Sequence, residues 1–252
     1  MAIKYGTNYS EYIYGSAFAD SIYGYGGNDR IYSYGGNDYV NAGTGNDLVD
    51  AGTGNDTVLG GDGYDTLYGG DGADKVYGQT GNDYLSGGTG NDNLYGGDGA
   101  DRAYGGTGDD FIFGDLGNDL LSGDSGLDVL NGGAGQDNLY GGSGDDDLYG
   151  STGDDLIVGG AQDDYLSGGS GSDMFVFNFG DGNDLVSDFQ LGVDWINLAG
   201  TGAIDDLDLT LTDISINGVL STEIDYGSGV IKLYGVDQAD LYATGFADFR
   251  FA

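Results

Sequence analysis

Aspartate recurs every nine residues from Asp20 to Asp173 without one insertion or deletion. A strict short period over so long a stretch means stacked repeats, each touching mainly its neighbours. The period defines eighteen nonapeptides spanning residues 15–176. Gly60-Gly61-Asp62-Gly63-Tyr64-Asp65-Thr66-Leu67-Tyr68 is a clean copy, and Gly87 to Tyr95 is another. Every copy carries Asp at its sixth position and an apolar residue at its eighth, from Ile22, Ile31 and Val40 to Ile157, Leu166 and Phe175. Residues 6–14 read as a degenerate earlier copy, with Glu11 in the Asp slot and Ile13 in the apolar one.

The letters of one repeat set its shape. The first six residues are Gly-rich, which permits positive φ and close backbone approach, so they are expected to form a turn. The last three are β-formers with a single inward apolar side chain, a very short strand. A turn plus a strand reverses the chain once, so two repeats close one coil and eighteen make nine. At about 4.8 Å per strand that stack is roughly 40 Å long. Each coil buries only two position-eight residues, at about 1.5–3 kcal/mol each. Ordering the whole coil costs more than that core returns, so something else must hold it.

Repeats of one parity place their turns on one side of the coil. The sixth-position acids therefore form two files. One holds Asp20, Asp38, Asp56, Asp74, Asp92, Asp110, Asp128, Asp146 and Asp164; the other holds Asp29, Asp47, Asp65, Asp83, Asp101, Asp119, Asp137, Asp155 and Asp173. Two carboxylates about 4.8 Å apart repel by about 3–4 kcal/mol at an effective dielectric of 20. A divalent ion between each pair reverses that sign. Carboxylates and turn carbonyls make a site of hard oxygens alone, which suits Ca²⁺ better than Mg²⁺ or any soft metal. All eighteen aspartates are thus candidate metal ligands. Eight gaps per file allow about 16 ions, carrying about +32 against a net charge of −37. Phe18 and Gln162 replace the usual position-four Gly, so sites touching them are expected to be weaker.

Composition narrows the remaining classes. The chain has 252 residues and contains no Cys, His or Pro. Disulfide and thiol chemistry are therefore absent, as are imidazole bases and zinc ligands. Asp and Glu supply 43 residues, and only Glu11 and Glu223 are glutamates. That preference for the shorter acid fits tight turns. Six basic residues against such acidity exclude nucleic acid as a direct partner. No apolar run approaches a membrane span, and residues 1–14 lack the pattern of an N-terminal signal peptide. Disorder is the bland alternative for an acidic, Gly-rich chain, but a 38% hydrophobic content with 21 Tyr argues against it.

The repeat GGxGxDxUx resembles the haemolysin-type, or RTX, calcium-binding nonapeptide. The resemblance implies an all-β, right-handed parallel β-roll with two nonapeptides per coil and a C-terminal antiparallel β cap. After Val176 the period stops. Phe175 to Phe179, Trp195 to Leu198 and Leu207 to Ile216 read as strands, and Ile224 and Val230 to Leu233 flank a hairpin turn at Gly227-Ser228-Gly229. The stretch Ser172 to Phe177, Gly180-Asp181-Gly182-Asn183-Asp184, Ser187-Asp188-Phe189, Gly192 to Leu198 and the final Ala247 to Ala252 is similar to the end of serralysin-type exoproteins. That similarity implies an uncleaved type I secretion signal, with the secretion machinery as partner and an extracellular location. The expected organisation is 1–14 as an N-terminal cap, 15–176 as the β-roll and 177–252 as cap and secretion signal. Folding would then wait for calcium outside the cell, since the ion binds only the folded form.

Two readings of role follow. One is a stand-alone secreted calcium-binding protein with a structural, matrix or adhesion role. The other is the non-catalytic export and folding module of a larger secreted enzyme of serralysin or alginate-epimerase type. Met1 and the family-like ending favour the first. Catalysis is not expected: the acids are equivalent copies, and no serine has an imidazole partner. Tyr at position nine, as in Tyr23, Tyr32, Tyr77 and Tyr95, should face outward. It serves as β-former and cover, or more sharply as a polysaccharide or cell-surface contact. Thr-x-Asn pairs such as Thr44/Asn46 and Thr80/Asn82 resemble ice-binding RTX arrays, but Asp62, Asp71 and Asp98 interrupt them.

Overall fold

A computed structural model describes residues 2–198, 210–217, 219–226, 229–244 and 249–251. Among the described residues two sheets stand face to face, one of 14 strands and one of 12, with successive strands alternating between them as far as Trp195–Leu198. Through most of each sheet neighbours are parallel and exactly two repeats apart: Thr57 pairs with Lys75, and Val58 with Val76. This is the β-roll expected from the period. It closes about eleven coils rather than nine. The extra coils come from outside residues 15–176. At the start, Ile3–Tyr5 pairs with Ser21–Tyr23, and Tyr12–Ser16 with Arg30–Tyr34. At the end, Asn183–Val186 and Trp195–Leu198 stack on the last regular strands.

The strands are also longer than three residues. Thr57–Asp62 and its equivalents run six, because positions one to three of the next repeat continue the ladder. Gly61 at position two stays paired although its φ is +117°. A Cβ there would lie 1.8 Å from the Gly43 carbonyl of the coil below, so glycine lets the two coils approach this closely at Gly61.

Position-eight residues form two fully buried columns, among them Val58, Val76, Leu94 and Ile112 in one sheet and Leu67, Leu85 and Leu121 in the other. One large apolar residue per strand is a lean core, as expected. It thickens only at the C-terminal end, where Phe175, Phe177, Ile196, Ile231 and Leu233 are buried together. There the strand Val230–Leu233 runs parallel to Asn183–Val186, then antiparallel to Val219–Asp225, which pairs with Thr210–Ile216. The hairpin expected around Gly229 is present; Gly227 and Ser228 lie outside the described residues, as do Leu207 to Leu209. A short helix, Gln238–Thr244, follows. Among the described residues no helix is long and apolar enough to cross a membrane.

At the opposite end, Lys4 pairs with Ile22 and so takes the inward, apolar slot. Its ammonium donates to the carbonyls of Tyr14 and Gly15. An inward-pointing charge on an edge strand discourages the addition of another strand. Ile13 pairs with Ile31 and Glu11 lies level with Asp29, as the degenerate copy implies.

Candidate metal centre: two files of half-satisfied carboxylates

The two files of aspartate stand as the period places them. The Asp47 N–H donates to Oδ1 of Asp65, and the Asp65 N–H to Oδ1 of Asp83, each at 2.8 Å. In the other file the Asp56 N–H donates to Asp74 and the Asp74 N–H to Asp92, at 2.7 and 2.8 Å. The same bond recurs from Asp20 to Asp38 and on to Asp155 and Asp173. One carboxylate oxygen of each acid is thereby fixed against the preceding coil.

The other oxygen is not satisfied. From Asp29 to Asp173, every sixth-position Oδ2 is buried without a hydrogen-bond partner. A Cβ built on Gly60 would meet Asp65 Oδ2 at 2.4 Å and the Gly78 carbonyl at 2.9 Å. The space under position-one Gly is therefore edged by a carboxylate oxygen of its own repeat and a carbonyl two repeats on. A buried, unpaired carboxylate oxygen costs several kcal/mol unless charge is neutralised. Along a whole file that cost demands a proton or a cation.

The acid strengths register the same stress. Burial pushes Asp65 up to about 7; the Asp47 N–H opposes this, and the charges of Asp83 and Asp47 add to it. Asp119 is raised to about 7 by the same causes, burial first. Burial lifts Asp83 to about 6 against the Asp65 N–H. Asp20 is the exception. Its Oδ2 accepts from the Ser16 hydroxyl at 2.8 Å. Burial raises it, but the Ala2 N–H, the Ser16 hydroxyl and Lys4 together hold it below the ordinary carboxylate value. Phe18, in the same turn, is 73% exposed.

The donor set suits a hard divalent cation. Among the described residues no group of three acids converges on one point. A cation held by stacked pairs must therefore complete its shell from turn carbonyls, which fits the high oxygen coordination of Ca²⁺.

Two parts of this arrangement were not read from the period. Position five carries a second ladder running the opposite way. Asn28 Oδ1 accepts the Asn46 N–H at 3.0 Å, Asn46 Oδ1 accepts the Tyr64 N–H at 3.1 Å, and Asp145 does the same for Asp163. Its signal was the recurrent Asn-Asp and Asp-Asp pair at positions five and six. The files also do not end at Asp173. The Asp164 N–H donates to Asp184, 20 residues on, and the Asp173 N–H to Asp194, 21 residues on. Gly180-Asp181-Gly182-Asn183-Asp184 is the same turn displaced by two residues, and a Cβ on Gly182 would strike the Gln162 carbonyl at 2.2 Å. A strict nine-residue phase cannot see it.

A β-roll of this kind, with oxygen-only sites stacked along its turns, defines a class of cation-dependent repeat proteins. The chain belongs to the RTX family: the RTX calcium-binding nonapeptide repeat matches in overlapping segments that run from 5–40 to 149–186 and together span most of the chain. RTX nonapeptide repeats bind Ca²⁺. Among solved structures, the chain is similar to a hyperactive, Ca²⁺-dependent, β-helical antifreeze protein from an Antarctic bacterium. That match has 23% identity over 77% of this chain and 75% of the other, with a TM-score of 0.37. It is also similar to the extracellular lipase LipA from Serratia marcescens, at 17% identity over 96% of this chain and a TM-score of 0.28; the match spans 40% of the lipase. The AlgE6R3 subunit of the Azotobacter vinelandii mannuronan C5-epimerase matches at 24% identity over 62% of this chain and 80% of that one, with a TM-score of 0.23. No curated protein matches the chain.

Proposed function

We propose that this chain is a secreted structural protein, of matrix or adhesion type, whose β-roll folds when Ca²⁺ becomes available outside the cell. The observation that carries the reading is the file of buried, unpartnered Oδ2 atoms from Asp29 to Asp173. The eighteen sixth-position aspartates, Asp20 to Asp173, are the proposed ligands, joined by Asp184 and Asp194 at the C-terminal end of each file. When bound, Ca²⁺ supplies positive charge between stacked carboxylates and takes up their free oxygens. The chain's own part is to hold the acids in register: each Asp N–H fixes the next carboxylate, and position-one Gly leaves room beneath it. About 16 ions are expected from residues 15–176, with one further gap per file from the two added acids.

The same files explain why a cell low in free calcium would hold the chain unfolded and fit for export. Without cations each file is a column of like charges. A ligand that binds only the folded form pulls folding forward by mass action. If the motifs from Ser172 to Leu198 and from Ala247 to Ala252, which resemble serralysin-type C-termini in sequence, act as a secretion signal here, type I secretion is the route. Circular dichroism with excess chelator and then with millimolar Ca²⁺ tests the reading. Strand signal that develops only with calcium is expected; equal strand content in both conditions would overturn it.

A further inference from the structure

The outward faces of the first coils are unlike the rest of the roll. In residues 2–49 every acid, Glu11 included, sits in the sixth-position slot inside a turn, and the first acid on a sheet face is Asp50. In a chain of net charge −37 this leaves a patch free of negative charge. Tyrosine fills it. On one sheet Tyr12, Tyr14, Tyr32 and Tyr34 lie on two adjacent coils. Ring centroids are 6.3 Å apart for Tyr12 and Tyr14, 5.7 Å for Tyr14 and Tyr32, and 6.5 Å for Tyr14 and Tyr34. Tyr12 is 59% exposed, Tyr14 48% and Tyr34 55%. Arg30 lies 5.5 Å from the Tyr12 ring centre and donates to its hydroxyl at 2.9 Å. On the other sheet Tyr5, Tyr23 and Tyr25 form a similar group.

Two of these rings are held against backbone preference. Tyr25 and Tyr34 occupy position two, where most copies have Gly, and both have φ of +74°. Smaller polar residues accept that conformation elsewhere, as at Gln79 and Ser151. Among the described residues aromatics do so only at these two positions, in consecutive repeats on opposite sheets, with their rings in solvent. A bulky residue at positive φ is an outlier that folding does not favour, and such strain gathers where it serves a contact.

We propose that the Tyr12/Tyr14/Tyr32/Tyr34 platform binds a neutral polysaccharide chain. Tyrosine offers an apolar ring with a polar tip, matching a pyranose that presents C–H groups on its face and hydroxyls at its rim. The rings repeat from coil to coil on a flat sheet, which suits an extended polymer contacted at several units rather than a small sugar needing a concave pocket. The patch bears Arg30, and the sheet-face acid nearest to it is Asp50, beside Tyr32 at its border, so an occupant on the Tyr12, Tyr14 and Tyr34 rings need not carry positive charge to approach this polyanion. A second copy joined end to end is disfavoured by Lys4 in the edge strand.

The test uses the calcium-loaded chain and co-sedimentation with amorphous cellulose and with chitin. The variants Y34G and Y32S place residues the chain already uses at these positions, as in Gly52 and Ser86. Saturable binding of the parent is expected with at least one of the two polysaccharides, together with at least a tenfold weaker affinity for the Y32S/Y34G double variant. Y34G should keep the calcium-dependent circular dichroism of the parent and melt at a higher temperature, since the strained φ is relieved. Y140S, far along the same sheet, should bind as the parent does. No binding to either polymer by a chain shown to be folded in calcium would overturn the proposal. So would undiminished binding by the double variant, or a platform-dependent dimer in sedimentation velocity. Failure to fold in calcium would instead count against the calcium reading, and the dichroism distinguishes the two.

Discussion

The Asp65 N–H and Oδ1 of Asp83 lie 2.8 Å apart although 18 residues separate them. This one bond ties a main-chain donor in one coil to an acid in the next, and it leaves Asp83 Oδ2 buried with no partner. The acid is thus held in place by structure and left in need of charge.

Asp83→Asn separates these two roles. The amide oxygen can still accept from Asp65, but the charge is gone. The metal-free chain should become easier to fold, by a few kcal/mol at neutral pH, because burial raises the Asp83 pKa to about 6. Calcium should bind more weakly, shifting the titration midpoint severalfold upward. Calcium titration followed by circular dichroism measures both, and a variant indistinguishable from the parent would deny Asp83 a ligand role.

Acid should partly replace calcium. The folded, metal-free acids are raised to about 6 or 7, as at Asp83, Asp65 and Asp119, from 3.8 in an ordinary setting. Between about pH 4 and 7 the folded form therefore binds more protons than the unfolded one, and stability falls as pH rises. The metal-free fold is at its best below the unfolded value and is lost as pH passes through 6 to 7. Chelated protein at pH 5 should show more strand than at pH 7.5, while calcium-loaded protein should change little. Identical chelated spectra at both values would contradict this.

Gly81→Ala should break one coil. A Cβ at this position would sit 1.5 Å from the Gly63 carbonyl, at a φ of +131°. Main chain cannot move aside as a flexible side chain can, so a loss of about 3 kcal/mol or more is expected. Thermal unfolding in saturating calcium reads it directly.

Asp194→Asn probes whether the C-terminal strands depend on the files. Asp194 accepts the Asp173 N–H at 3.1 Å and precedes the strand Trp195–Leu198. The variant should lower the number of ions bound by about one, judged against the six- to eight-oxygen shell of Ca²⁺, and speed amide exchange in Trp195–Leu198. Exchange confined to its parental rate would show that this strand is held by its apolar contacts alone.

Much of this was legible in the sequence. The period fixed the coil, the parity of the files and the inward column from Ile22 to Phe175, because each depends only on counting and on one residue type per position. Strand length was not legible, since Gly at positions one and two looks like turn yet stays in the ladder, as Gly61 does between Gly43 and Gln79. Asp184 and Asp194 escaped because insertions break phase without breaking stacking. The position-five ladder was hidden by chemistry: its bond runs from a backbone N–H to a side-chain oxygen, so Tyr64, Ala73 and Ala100 can donate it with no sequence signature of their own.

The aspartate bond has a direction, opposite to that of the position-five ladder. Each sixth-position N–H finds its acceptor only in the coil that follows it. A chain whose C-terminus reaches the outside first, as type I export would have it, presents Asp184 and Asp194 before Asp164 and Asp173 arrive. Under the proposed export, every later coil would then meet a ready-made row of carboxylate oxygens.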